Sequence, residues 1–352
     1  VLLLDKEQLP RFKACGGGVS PQVAQWFDFD FGPAIDHTVT RVRFSWKLDD
    51  VIEADLPSPE PFWMVRREVF DYYLVKQAER LGVKLQDGVA VTGIESLGDG
   101  WRVQTDAGPV EGHYLVAADG GLGPMAGWLG FATQKRHWVK TLSVEAELPQ
   151  SGDTTAHFEF GLVKNGFVWA FPKSYGLTVN AGTFRGQEET DFEPPIAAFL
   201  AQFGVKPQGF RHTSLPVCVW DGHHALHTRH ALLVGEAAAL ADPFTAEGIR
   251  PALLSGLRAA EAIGASLQGN SQALAHYSRT LQQEWGNSMA WAKRIGRVFH
   301  RVPQIAYQVG VKRPTAPERM GQILVGEVSY GDIANRVIRR MTTSFLPGRR
   351  SS

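Results

Sequence analysis

Ala231-Leu232-Leu233-Val234-Gly235-Glu236-Ala237-Ala238 continues through Ala241-Asp242-Pro243-Phe244-Thr245-Ala246-Glu247-Gly248-Ile249 into a helix-like run that ends near Leu267. Four apolar residues without polar alternation suit a strand of a parallel sheet covered on both faces. Gly235-Glu236 closes that strand with a turn and a carboxylate. A helix starting near Gly248 would aim its free N–H groups and positive dipole end back at the strand end, a place for an anionic ligand. Pro251 falls in the first turn, where a missing N–H costs little. The same arrangement recurs in Val116-Ala117-Ala118-Asp119-Gly120-Gly121 and in Val1-Leu2-Leu3-Leu4-Asp5. A carboxylate at such a strand end is where a nucleotide-binding α/β fold accepts ribose hydroxyls. Each copy alone reads equally as an ordinary turn with a capping acid; three in one chain favour a ligand site.

Outward from these strands, Val39–Trp46 alternates with period two as a half-buried antiparallel strand, and Glu68–Leu81 has helical spacing stopped by Gly82. Val83–Ile94 reads as a strand. Trp101–Thr105 and Val110–Ala117 flank the turn Asp106-Ala107-Gly108-Pro109, a hairpin signal. Residues 142–215 are short alternating runs broken by glycine, a β-rich insertion, and the pattern past Ser271 is helical. The expected fold is α/β: a Rossmann-like nucleotide-binding domain, an inserted antiparallel β-sheet and a C-terminal helical region. The segments 1–36, 62–135 and 225–290 are assigned to the first, 37–61 and 136–224 to the insertion, and 291–352 to the last.

Composition narrows the function classes. Lysine plus arginine and aspartate plus glutamate number 36 each, so no global field favours nucleic acid. Cys15 and Cys218 make neither a disulfide framework nor a metal cluster, which fits a reducing, cytoplasmic setting. No stretch approaches the roughly 20 apolar residues of a membrane-spanning helix. Over residues 331–352, however, arginines 336, 339, 340, 349 and 350 stand against Asp332 alone, beside Met341, Phe345 and Leu346. That tail is expected to make a peripheral membrane contact, against the plainer expectation of a helix packed on its own protein.

The run Lys13-Ala14-Cys15-Gly16-Gly17-Gly18 places three residues without side chains next to a thiol and an ammonium, so backbone can approach a planar ring closely. Together with the strand ending at Asp5, Arg67-x-x-Phe70-Asp71, Ala118-Asp119-Gly120 and Gly235–Ile249, it resembles the geranylgeranyl reductase branch of the para-hydroxybenzoate-hydroxylase-like flavoproteins. Trp169-Ala170-Phe171-Pro172 resembles that branch's WxFP cavity motif, and Gly326-Glu327-Val328-Ser329-Tyr330 its C-terminal pattern.

The resemblance implies FAD as cofactor, with NADPH or another reductant as electron donor. It puts Asp5 on the adenosine ribose, Arg67 near phosphate and ribityl, and the strand Val89–Val91 beside adenine. Lys13, Gly16, Asp119, Gly120, Gly235, Glu236, Asp242, Pro243, Gly248 and Ile249 complete the cofactor set, with Cys15, Gly17 and Gly18 on the catalytic face. Phe167, Trp169, Phe171 and Pro172, with Tyr175, would line a cavity for an isoprenoid lipid or prenylated substrate. The cationic neighbours Arg11 and Lys13 suit Cys15 as a proton donor or polar guide, whereas a small buried hydrophobe is the plain alternative. Three departures stand out. Glu236 replaces an aspartate, displacing the carboxylate by about 1.5 Å. Ala246 stands where glycine is usual. The GxGxxG loop that ordinarily precedes the first strand is not in the sequence, which implies weak FAD binding unless a segment lies upstream. The expected reaction is reduction of isoprenoid carbon–carbon double bonds; the alternatives are a flavin monooxygenase or halogenase, and a prenyl-lipid-binding protein without redox activity.

Overall fold

The computed structural model describes residues 1–56, 61–131, 136–148, 153–186, 190–205, 211–313 and 315–336. The architecture is α/β, with a Rossmann-like part, an inserted antiparallel sheet and C-terminal helices. Leu2–Asp5 pairs in parallel with Lys84–Asp87. Its burial is partial: Leu2 is 40% exposed and Leu3 to Asp5 are half-buried, with one neighbour strand beside it among the described residues. Helix α1, Arg67–Arg80, connects toward that neighbour and ends before Gly82, which turns the chain at φ +89°.

Val83–Ile94 is likewise not one strand. Gly88, at φ +68°, breaks it into Lys84–Asp87 and Val91–Ser96, which belong to different sheets. Val89 and Ala90 thus lie in a connection, whose Val89 N–H donates to the Asp5 carbonyl at 3.0 Å. Trp101–Thr105 and Val110–Gly112 form the expected hairpin, to which Val91–Ser96 adds a third strand, whereas Leu115–Ala117 leaves for another sheet. Ala231–Leu233 pairs in parallel with Leu115–Ala117, so two of the acidic strand ends are neighbours.

Among the described residues the inserted sheet has eight strands. Its central pair is Gly166–Lys173 with Gly176–Thr183, flanked on one side by His137–Glu147 and on the other by Thr155–Phe160. Thr155–Phe160 runs parallel to Arg41–Trp46, the sheet's one parallel pair among the described residues. Period-two alternation divides its faces. Phe167, Trp169 and Phe171 join the large core with Phe44, Phe158 and Phe160, whereas Val168 and Ala170 pack under helix α2, Glu193–Ala201. This helix interrupts a block that reads as purely β; prolines in its first turn fit because those N–H groups have no intrahelical acceptor.

Helix α3, Ile249–Leu267, follows the third acidic strand end as expected. Helices α4 (Ala273–Leu281), α5 (Asn287–Arg301), α6 (Pro303–Ala306) and α7 (Ala316–Leu324) follow among the described residues. Among the described residues no helix is long and apolar enough to cross a membrane. Of the tail proposed to contact a membrane, residues 331–336 are described, and 337–352 lie outside the described residues.

Candidate functional site

The glycine run crosses the edge of the aromatic sheet face. A Cβ on Gly16 would sit 3.1 Å from both Trp169 and Phe171, and one on Gly18 2.7 Å from Phe62. Gly17 is at φ +72°, and a Cβ there would collide with the Val65 carbonyl oxygen and the Lys173 Nζ. Gly17 is therefore required by its backbone contact and conformation, Gly16 and Gly18 are favoured by close approach to aromatic rings, and the loop lies directly on the WxFP strand. Cys15 turns its Sγ inward to accept the Gly17 N–H at 3.3 Å.

Lys173, one residue past that motif, was not singled out in the sequence. Its position at the end of a strand before Ser174-Tyr175-Gly176 reads as an exposed turn lysine. Instead it is buried, and its Nζ donates to the Val65 carbonyl at 2.9 Å. Burial pushes its ammonium down to about 8, against the attraction of Cys15, Asp36, Glu145 and Glu68. Tyr175 lies at the turn, with its hydroxyl 3.4 Å from Oγ1 of Thr178, the residue paired with Phe171 across the sheet.

A chain of ion pairs ties the first strand end to this loop. Arg11 bridges Asp5 at 3.3 Å and Asp71 at 3.1 Å, and Asp71 grips Arg67 with both oxygens at 2.7 and 2.8 Å. Burial works against both charges, yet Asp71 is held low by Arg67 and Arg11, and Arg67 is held high by Asp71 and Cys15. Lys13 joins the cluster; burial and then the Arg67 charge lower it, with Glu236, Cys15 and Asp71 opposing. Lys13, Cys15, Arg67 and Glu236, spread over the sequence, thus converge.

Other expected contacts are engaged within the protein. Glu236 Oε1 accepts the Cys218 N–H at 2.8 Å, so its longer arm closes onto a neighbouring strand. Asp119 accepts the Met125 N–H at 2.9 Å, and burial raises its carboxyl. Asp242 is buried: Oδ1 takes the Phe244 and Thr245 N–H groups at 2.7 and 3.1 Å, and Oδ2 takes the Tyr330 hydroxyl at 2.8 Å. It shapes the loop Pro243–Gly248 and fastens it to the C-terminal segment. Within that loop Ala246 adopts φ +60°, the left-handed conformation for which glycine is the easier residue. Val91 begins a strand behind the Asp5 turn.

Features suited to FAD remain. No side chain caps α3 at Gly248, leaving a helix N-terminus for anionic or carbonyl acceptors. Gly235, at φ +57°, turns its strand and is held by Ser255. An apolar cavity of about 40 Å³ lies beside the loop, lined by Phe44, Phe158, Phe160, Phe167, Phe244 and residues of α7. Phe167 thus faces a cavity that Phe244, next to Pro243, closes; Trp169 packs against Phe167, with ring centroids 5.3 Å apart.

The FAD-binding domain family matches residues 33–284. The chain belongs to that family. Menaquinone reductase of Mycobacterium tuberculosis is 27% identical, covering 97% of this chain and 86% of its own. Digeranylgeranylglycerophospholipid reductase 2 of Methanothermobacter thermautotrophicus is 26% identical over 86% of this chain and 79% of its own. Among solved structures, a geranylgeranyl bacteriochlorophyll reductase-like protein of Thermoplasma acidophilum superposes with TM-score 0.74 at 17% identity, over 98% of this chain and 90% of its own. The flavin-dependent brominase Bmp2 gives 0.67 at 20%, over 97% and 93%. The flavoprotein is thus of the para-hydroxybenzoate-hydroxylase-like, geranylgeranyl-reductase type, with an FAD-binding oxidoreductase fold.

Proposed function

We propose that this flavoprotein reduces carbon–carbon double bonds in an isoprenoid chain. The observation that carries the reading is the aromatic cavity: four phenylalanines of the inserted sheet face Phe244 of the Pro243–Gly248 loop, an apolar wall beside the segment best suited to the flavin. The names of the sequence relatives, reductases of menaquinone and of digeranylgeranylglycerophospholipids, support it.

FAD, when bound and reduced by NADPH or another donor, supplies hydride for one alkene carbon. The α3 N-terminus and Gly235 would hold its polar atoms, with Asp5 toward the ribose. The protein's own work is positional. Trp169 and Phe171, packed on Gly16, orient the chain and exclude water. Cys15 Sγ, fixed by the Gly17 N–H, would give the proton for the other alkene carbon, and Arg67 and Lys173 would offset the negative charge left on the sulfur. The 40 Å³ cavity would widen as the chain enters, through rotation of its phenylalanines.

The test is anaerobic turnover of FAD-loaded protein with chemical reductant and geranylgeraniol or a prenylquinone, read by mass spectrometry. A product gaining hydrogen pairs is expected. An oxygen-dependent hydroxylated or halogenated product, the outcome suggested by the brominase-like fold, would overturn the reading.

A further inference from the structure

A second cavity, of about 260 Å³, lies between α3, the start of α5 and the C-terminal turn, and it shares Ile323 and Tyr330 with the aromatic cavity. Its walls include Arg250, Ser288, Gln22 and Glu284 as well as Trp26 and Trp285. Empty cavities in protein cores are apolar, so a chamber lined by a guanidinium, a hydroxyl and an amide is built for an occupant with polar atoms.

Arg250 is the central group. It is 7% exposed, and among the described hydrogen bonds it uses only Nη2, which donates to Glu247 at 2.8 Å. Its Nε is buried without a partner. Its other edge lies over Gly326, where a Cβ would stand 2.9 Å from Nη1; Gly326 is at φ +85°. Only glycine lets the C-terminal turn lie under that guanidinium. The guanidinium also lies over the Trp285 ring, 5.1 Å from its centroid, and keeps an N–H, on the buried Nε, without a protein partner.

Charge and shape select the class of ligand. Arg250 is already matched by Glu247, and Arg258 by Glu284 and Glu261, each at 2.8 Å. A multiply charged diphosphate would have to displace carboxylates that are held in place, whereas a neutral acceptor can take the unpartnered Arg250 N–H and the Ser288 hydroxyl without doing so. Trp26 and Met289, with Trp285 whose ring Arg250 overlies at 5.1 Å, provide flat, polarisable walls suited to a planar ring. We propose that this chamber binds the headgroup of the substrate, and that the headgroup is a neutral ring bearing carbonyl oxygens, of the quinone type, with its prenyl chain passing Ile323 and Tyr330 into the aromatic cavity. This inference rests on the isoprenoid reading and names the class of isoprenoid.

The experiment is calorimetric titration of the FAD-loaded full chain with a 1,4-naphthoquinone lacking a prenyl tail, and separately with inorganic diphosphate. Saturable quinone binding is expected, weakened on the order of tenfold by Arg250→Lys, which keeps the charge beside Glu247 but loses the planar N–H edge. Leu254→Phe, which narrows the chamber while keeping the Arg250 guanidinium, should also weaken it, and unchanged melting temperatures exclude misfolding as the cause. Binding of diphosphate but not quinone, or quinone binding indifferent to both variants, overturns the inference. The two readings separate cleanly: geranylgeraniol reduced with no quinone binding sinks only the headgroup site, whereas variant-sensitive quinone binding with no chain ever reduced supports the site and sinks the reductase.

Discussion

Replacing Lys173 by Met should make the protein's stability less dependent on alkaline pH, through a charge that the fold buries at a cost. In the unfolded chain the ammonium titrates at its ordinary 10.5; in the fold burial brings it to about 8. Between these values the unfolded state binds the extra proton, so stability rises with pH there. Below about 8 the penalty is fully present, and above 10.5 it is gone. A shift of this size corresponds to about 3 kcal/mol. Wild type should therefore gain about that much relative to Lys173→Met as pH rises from 7 to 10.5. At pH 7 the variant escapes the penalty but leaves the Val65 carbonyl without its donor, a loss of about 1–3 kcal/mol, so the two proteins should be close in stability there. Urea unfolding followed by tryptophan fluorescence at several pH values measures the difference directly. A wild-type-minus-variant stability that stays flat across this window would refute the reasoning, because it would mean that the buried ammonium is not the group that titrates.

Gly17→Ala should destabilise by at least about 2 kcal/mol, since a left-handed alanine costs roughly 1–2 kcal/mol before its Cβ meets the Val65 carbonyl; a urea midpoint equal to wild type would contradict this. Cys15→Ala should retain flavin, read by absorbance, while slowing alkene reduction or changing which double bonds are reduced; unchanged turnover and product distribution would remove the thiol from the mechanism. Tyr330→Phe strips a donor from the buried Asp242 carboxylate and should cost about 1–3 kcal/mol, with Asp242→Asn in that background restoring part of the loss; the melting temperatures of the single and double variants test this.

The parts of the fold legible in the sequence are those fixed by near neighbours. Helix α3 begins and ends where Gly248, Pro251 and the apolar spacing say it should, and the hairpin around Asp106–Pro109 follows from its turn chemistry. Sequence also brings out the glycine run and the WxFP strand as a pair, but the reason they matter is contact across about 150 residues: Gly16 has no room for a Cβ because Trp169 and Phe171 occupy that space. Local pattern misjudges residues whose environment is assembled at long range. Val1–Leu4 has the composition of a buried strand, yet burial depends on neighbours, and with one neighbour strand beside it among the described residues its burial is partial. Lys173 reads as a turn residue because proline before it and glycine soon after it mark a turn; its burial is imposed by Gly17 and Val65, from two other segments. The acidic strand ends show the same limit from the functional side. Their recurrence correctly announces a nucleotide-binding architecture, but which oxygens are left for a ligand depends on partners that the motif does not contain. Arg11 pairs with one oxygen of Asp5, the Cys218 N–H takes Glu236, and Tyr330 with the loop N–H groups takes both oxygens of Asp242. Two polar groups without side-chain partners among the described residues, the α3 N-terminus and the Nε of Arg250, carry no strong signature in sequence, because their availability depends on what the rest of the chain leaves unfilled.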